Sequence, residues 1–277
     1  MMAAELDAKE QDLLQWFRAR GSVLIGFSGG VDSAYLACVA RDTLPRDRML
    51  AVIGLSAAYP AQQWEHARSV AARFDLPVLE VPTAELQDAR YAANPTNRCY
   101  HCKSVLWRTL APIADERGIA VIVDGTNADD LGDYRPGHAA AQERGVRSPL
   151  AELGFRKSEI RALSQRRGIP GWENPSSPCL ASRLPYGFAV TAERLAQVER
   201  AEAALRSLGI TGNLRVRHHG DLGRVELDAS ELTSWLDPQR HRALRDAVRS
   251  AGFARVALDL RGFRSGSLNI LSGVAPS

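Results

Sequence analysis

The sequence predicts an α/β fold, a parallel sheet flanked by helices, followed by a smaller C-terminal α+β domain. Three observations predict it. Short apolar runs alternate with helical stretches through the first two-thirds of the chain, as buried parallel strands joined by helical crossovers do. A glycine pair, Gly29-Gly30, separates the first apolar run from the first helix that follows it. Beyond Gly187 the alternation gives way to a helix, an alternating hairpin, a second helix and a strand.

The expected strands are Val23–Phe27, Met49–Leu55, Pro77–Val81 and Ala120–Asp124, and the expected helices are Val31–Arg41, Ala61–Phe74, Lys103–Arg117 and Lys157–Arg167. Ligands in such sheets sit at the carboxyl ends of the strands. That edge receives the turn Ser28–Ser33 and the stretch Asp124-Gly125-Thr126-Asn127. After Ser182–Gly187 a helix carries Leu195, Val198, Leu205 and Leu208 on one stripe, with Gly209 as its stop. LRVRHHGDLGRVEL reads as a hairpin turning at Gly220-Asp221; a helix over Ser230–Ala251 and a strand over Arg255–Leu260 complete the chain. The domain boundary is expected near Pro185, giving domains 1–185 and 186–277.

The composition is that of an ordinary globular protein: 277 residues, 45% apolar and 24% charged. A net charge of +3 is too small to argue for a nucleic-acid partner. No apolar run approaches 18 residues, so no membrane span is expected. The N-terminal MMAAELDAKEQDLL is acidic and amphipathic and lacks a secretion signal, which points to a cytoplasmic protein. Lysine occurs only at Lys9, Lys103 and Lys157. The abundance of arginine reflects either a compositional bias or bidentate recognition of phosphate and carboxylate.

Consecutive glycines allow positive φ and bring N–H groups close to a ligand, and the unpaired N–H groups opening the next helix add a favourable dipole. Ser28 and Ser33 add hydroxyls, and Asp32 orients the loop or holds Mg²⁺. The plain alternative is a tight strand–helix turn with an N-cap. No Walker pattern is present, and no lysine lies nearby in sequence.

Cys99 and Cys102 form a C-x-x-C, Cys179 stands in SSPCLASR, and Cys38 falls in an apolar helical segment as core filler. Structural zinc wants four ligands. A redox dithiol wants the pair opening a helix in a thioredoxin-like unit, a context that is missing here. Three thiolates suit an iron–sulfur cluster with one iron free of protein, and uncoordinated thiols remain a further option. Pro178 before Cys179 and Arg183 after it suggest a rigid loop with a cation that favours the thiolate; the alternative is a loop thiol without a task.

SGGVDS (28–33) resembles the signature of the PP-loop ATP pyrophosphatases, which grip the pyrophosphate part of ATP and adenylate an oxygen of their substrate. Together with NRCYHCKS (97–104), DGTNADDLGDYRPG (124–137), SPCLASRLPYG (177–187), RVRHHG (215–220) and the C-terminal RGFRSGSLN, it makes nearly the whole chain similar to the LarE family. These are ATP-dependent sulfur transferases of nickel-pincer nucleotide biosynthesis. The resemblance implies a Rossmann-like PP-loop fold, ATP and Mg²⁺, and pyridinium-3,5-dicarboxylate mononucleotide as a small-molecule substrate whose carboxylates become thiocarboxylates. It implies that Ser28, Gly29, Gly30, Asp32 and Ser33 hold pyrophosphate and Mg²⁺, and that Gly125 and Thr126 lie by the nucleotide. Cys179 and Arg183 then belong to the sulfur site. Some family members sacrifice the sulfur of the cysteine at position 179. Others, with two further cysteines, are of the [4Fe–4S] type, and Cys99, Cys102 and Cys179 would be the ligands here.

Arg215 and Arg217 share one face of the hairpin strand. The resemblance assigns them a substrate phosphate, with Glu202 and Glu226 as polar or metal-binding partners; the alternative is a solvated face. Asp129, Asp130 and Asp133 either bind metal or cap a turn. A homo-oligomer is expected from the family. The rival readings are a PP-loop tRNA thiolation enzyme carrying an iron–sulfur cluster, an ammonia-using amidotransferase such as NAD synthetase or GMP synthetase, and a non-catalytic nucleotide sensor on the same fold.

Overall fold

The structure is a computed structural model and describes residues 2–132, 136–175 and 177–264. The chain divides into two compact units: Met1–Glu85 with Asn97–Ser177, and Leu86–Thr96 with Pro178–Ser277. The division thus falls at 177/178 rather than near Pro185, and it draws 86–96 into the C-terminal unit.

The first unit opens with α1 (Met2–Arg20) and continues β1 (Val23–Gly26), α2 (Val31–Thr43), β2 (Met49–Leu55), α3 (Ala61–Arg73) and β3 (Val78–Pro82). After the short helix α4 (Ala89–Ala92), which belongs to the other unit, come α5 (Arg98–Glu116), β4 (Val121–Val123), α6 (Pro136–Gln142), α7 (Pro149–Glu152) and α8 (Lys157–Arg166). The four strands form a parallel sheet in the order β3-β2-β1-β4. Alternation along the strands sets two cores. Val23 and Ile25 of β1, with Met49, Ala51 and Ile53 of β2, pack with Leu13 and Phe17 of α1, Leu36 and Val39 of α2 and Ile160 and Leu163 of α8. Leu24, Leu50 and Val52 face the other way, onto Trp107 and Leu110 of α5 and Ala140 and Ala141 of α6. Each such valine, leucine, isoleucine, methionine or phenylalanine side chain stabilises the fold by about 1.5–3 kcal/mol on burial. Because β2 lies to one side of β1 and β4 to the other, the connections after β1 and β4 diverge at the carboxyl edge, the usual place for a ligand crevice.

Helix α5 opens at Arg98, five residues before the expected Lys103, so the C-x-x-C lies in its first turn. Tyr100 of that turn donates to Glu143 beyond α6 at 2.7 Å. Among the described residues no helix is long and apolar enough to cross a membrane.

The second unit carries α9 (Ala192–Ser207), β5 (Leu214–His219), β6 (Leu222–Leu227), α10 (Ala229–Leu232), α11 (Pro238–Ser250) and β7 (Arg255–Leu258). β5 and β6 pair antiparallel about the expected hairpin, and β7 joins β6 in parallel. Leu195, Val198 and Leu205 of α9 are buried, while Leu208, expected on the same stripe, is 40% exposed at the helix's end. The single helix expected over Ser230–Ala251 is broken. Asp237 accepts from the N–H groups of Gln239 and Arg240, and Pro238 takes the first helical position, so a new helix starts there. RGFRSGSLN extends past residue 264 and lies partly outside the described residues.

The segment Leu86–Thr96 joins this unit through Asn94, which is fully buried with φ +55°. Its amide donates to Pro185 O at 2.7 Å and Phe188 O at 2.9 Å, and its carbonyl accepts from Gly187 N–H at 2.8 Å. Removing the amide orphans buried carbonyls, and alanine tolerates this backbone poorly. Asn94→Ala is expected to cost about 3 kcal/mol in urea unfolding, and Asn94→Gly about 1 kcal/mol less.

Candidate functional site

The loop from β1 to α2 is built around Ser28. Its backbone N–H donates to Ser33 Oγ at 3.2 Å, its own hydroxyl lies 3.1 Å from Ser33 Oγ, and Ser33 Oγ donates to Gly30 O at 3.0 Å. The two hydroxyls expected to face a ligand are therefore engaged within the loop. The glycines differ in role. Gly29 has φ +69°, and a Cβ there would sit 2.6 Å from Ala67 Cβ of α3. Gly30 has φ −69°, and a Cβ there would meet only Ser28 Oγ at 3.5 Å. Gly29 thus fits the loop to α3, whereas Gly30 leaves open space at the N-terminus of α2, where unpaired N–H groups and the helix dipole favour an anion.

The tip of β4 closes on the same place. A Cβ on Gly125 would lie 2.9 Å from the Ser33 backbone nitrogen, so only glycine lets the second loop reach the start of α2. Thr126 N–H and Ser148 Oγ both donate to Asp124 Oδ1, at 3.1 and 2.8 Å, and Thr126 O accepts from Ala151 N–H at 3.1 Å.

Asp32, in the first turn of α2, receives Lys157 Nζ at 2.5 Å and Asn127 Nδ2 at 3.5 Å. Lys157 was not singled out in the sequence. It lies 125 residues from Asp32, at the first position of α8. Its backbone N–H donates to Asp129 Oδ2 at 2.8 Å, and Asp130 Oδ2 accepts from Asn127 N–H at 3.1 Å. Asp129 and Asp130 thus serve the turn and seat α8, while Asp133 lies outside the described residues. A small-residue cradle, a helix N-terminus, one carboxylate and one ammonium form a set that suits a polyphosphate with a divalent cation.

In the second unit Cys179 precedes a 3₁₀ turn, Leu180–Arg183. Arg183, 2% exposed, donates to the carbonyls of Pro178 and Cys179 at 2.5 and 3.0 Å. It also forms a two-pronged pair with Glu202 at 2.9 Å on each side. Arg183 thereby fixes the backbone on both sides of the thiol. Glu202 also accepts from Val216 N–H of β5 at 3.0 Å. Arg217 pairs with Glu226 at 2.8 Å and donates to Ser182 O at 3.0 Å, while Arg224 takes the other Glu226 oxygen at 2.9 Å. Arg215 and Arg217 are each 6% exposed, so the strand face carrying them is buried rather than solvated. Burial, reinforced by the neighbouring Arg183 guanidinium, pushes Arg215 down to about 10, the sign of a dry, locally positive place that favours an added anion. His218 packs between Phe188 and Phe253 with Nε2 3.0 Å from Gln197, a core position.

Cys99 is exposed and Cys102 half-buried in the first unit, Cys179 is half-buried in the second, and among the described residues no cysteine is in a disulfide. Also among the described residues, no three histidine, cysteine or acidic side chains gather as a metal-binding group. Both oxygens of Glu226 accept from guanidinium groups.

The chain matches the NAD synthase family over residues 9–99. It is 43% identical to an uncharacterized protein of Synechocystis sp. over 95% of this chain and 98% of that one. It is 36% identical to the pyridinium-3,5-bisthiocarboxylic acid mononucleotide synthase of Lactiplantibacillus plantarum over 96% of this chain and 95% of that one. An NH(3)-dependent NAD(+) synthetase of Pelodictyon phaeoclathratiforme is 25% identical over 54% of each chain.

Two predictions follow from this geometry. Gly29→Ala is expected to cost about 2–4 kcal/mol in denaturant unfolding, and Gly30→Ala under about 1 kcal/mol. Burial, with Asp42 adding to it, pushes the Cys38 thiol up to about 12 from its ordinary 9.0. The folded chain holds that proton more tightly than the unfolded chain, so the stability Cys38 contributes is whole below pH 9 and is lost as pH rises toward 12. Iodoacetamide at about pH 8 should therefore label Cys99 in the folded protein and reach Cys38 only after unfolding, as read by peptide mass spectrometry.

Proposed function

The chain belongs to the family of the pyridinium-3,5-bisthiocarboxylic acid mononucleotide synthase, and on that premise we propose that it is an ATP-dependent sulfur transferase acting on pyridinium-3,5-dicarboxylate mononucleotide. The observation that carries the reading is the cradle at the tip of β1. Gly30 leaves open space there beside the N-terminus of α2, with Asp32 and Lys157 at its mouth. A ring carboxylate oxygen attacks the α-phosphorus of ATP, the bond to the bridging oxygen of the β-phosphate breaks, and pyrophosphate leaves. The carboxyl carbon, now bearing AMP, accepts sulfur, and AMP departs with its oxygen. Repetition at the second carboxylate gives the bisthiocarboxylate.

The chain's own residues divide the work. The Gly29–Ser33 backbone and the α2 dipole hold the pyrophosphate portion. Asp32 would hold Mg²⁺, whose charge offsets that of the phosphates, and Lys157 would then turn its ammonium to the same oxygens. Gly125 and Thr126 line the nucleotide's side. Arg215 and Arg217 bind the phosphate of the substrate, with Glu226 keeping the Arg217 guanidinium oriented and Glu202 that of Arg183.

The three cysteines offer two routes for the sulfur. In one, the Cys179 sulfur bonds to the activated carbon, loss of the Cα proton to a base breaks its bond to Cβ, and dehydroalanine remains, so each chain supplies one sulfur and the second carboxylate draws on a second chain. In the other, Cys99, Cys102 and Cys179 would be brought together to hold a [4Fe–4S] cluster. The start of α5 suits such a site because its dipole favours the thiolates of Cys99 and Cys102. A cluster held by three thiolates offers one iron for an added sulfide.

The test combines the purified protein, ATP, Mg²⁺ and the dicarboxylate nucleotide. Pyrophosphate release and a mass gain from oxygen-to-sulfur exchange are expected; release with neither product nor dependence on the nucleotide would refute the assignment. Asp32→Ala should lower pyrophosphate release at least about 100-fold, and Cys179→Ser should keep release but lose sulfur transfer. Cys179 short by the mass of H₂S after turnover identifies the sacrificial route. An intact Cys179, together with iron and sulfide lost in Cys99→Ala, identifies the cluster.

A further inference from the structure

We propose that Tyr59 and Gln63, neither of them part of the glycine loop, are positioning residues that hold the Ser28–Gly29 peptide in its anion-binding orientation. The inference rests on reading the loop as a pyrophosphate cradle. The Ser28 carbonyl accepts from Tyr59 Oη at 2.9 Å and from Gln63 Nε2 at 2.9 Å. Both donors lie behind the loop, Tyr59 just before α3 and Gln63 in its first turn. In a planar trans peptide the C=O and the following N–H point in opposite directions. Two donors gripping the Ser28 oxygen from behind therefore aim the Gly29 N–H away from α3, and among the described residues that N–H meets no acceptor.

The grip has a purpose because the next residue is glycine. Gly29 sits at φ +69°, but glycine enters negative φ about as readily. A flipped peptide would present a carbonyl oxygen, and hence negative charge, to the anion. Gln63 also gives up something to stay in place. Its Oε1 is buried with no partner among the described residues, an arrangement that is costly unless Nε2 is needed where it is. Rotating the amide would set Oε1 against the Ser28 oxygen. Burial, with Glu80 adding to it, raises the Tyr59 hydroxyl above its ordinary range, so it keeps the proton it donates.

Titration calorimetry with Mg²⁺–pyrophosphate and, separately, with AMP tests this on the full chain. Tyr59→Phe and Gln63→Glu keep shape and remove one donor each. The first should weaken pyrophosphate binding about 5-fold. The second should weaken it about 10-fold, because an acceptor then faces the carbonyl. The double variant should lose more than the product of the two, since either donor alone restrains the peptide. AMP affinity should change less than about 2-fold, and Gln63→Ala gives a second, uncharged check of the same site. Variants that bind pyrophosphate like the wild type, or that lose AMP and pyrophosphate in equal measure, overturn the positioning role. A wild-type protein that binds neither ligand overturns the cradle reading itself, and the inference with it.

Discussion

Close approach of backbone to backbone at the carboxyl edge of the parallel sheet is the constraint from which the first unit's site follows. Gly29 lies where a Cβ would strike Ala67, and Gly125 lies where a Cβ would strike the start of α2. These two contacts draw α3, the β1 loop and the β4 loop around one helix N-terminus. Everything polar nearby is then a consequence of crowding. Ser28 and Ser33 satisfy each other and the loop, and the carboxylate of Asp32 finds an ammonium from α8. What stays open is the space over Gly30.

Much of this was legible in the sequence, and the parts that were not share a cause. The four strands and their helices could be read because apolar runs and helical stretches are local signals, and the glycine turn between β1 and α2 because SGGVDS is contiguous. Lys157 could not be read, because its partner is 125 residues away. The only cue was its rarity in a chain whose cations are mostly arginine. Tyr59 and Gln63 act on a carbonyl, a group with no signature in the sequence. The break at Asp237-Pro238 was legible, since an acidic cap followed by proline starts a helix; helical periodicity on both sides hid it. Asn97 offered a cap residue for the start of α5, but in the structure its side chain makes no capping hydrogen bond.

The second unit shows why alternation on a strand cannot by itself separate a wet face from a dry one. Arg215 and Arg217 alternate as a solvated face would, yet they are buried. Arg217 shares Glu226 with Arg224, and Glu202 ties Arg183 to β5. Buried ion pairs seldom add net stability, because desolvation offsets the attraction. The same network reaches the carbonyls around Cys179 through Arg183, so the geometry of the thiol's loop and that of the arginines on β5 are set together.

Asn94 has a consequence for how the protein is made. Its partners begin ninety residues further along the chain. A ribosome adding about 5–20 residues per second leaves that segment waiting some 5–18 s before Leu184 has been polymerised. Through that interval Tyr91, which ends almost wholly buried, has no finished unit to enter. Between two stretches of the first unit, Tyr91 and Asn94 wait for burial partners that the ribosome has not yet made.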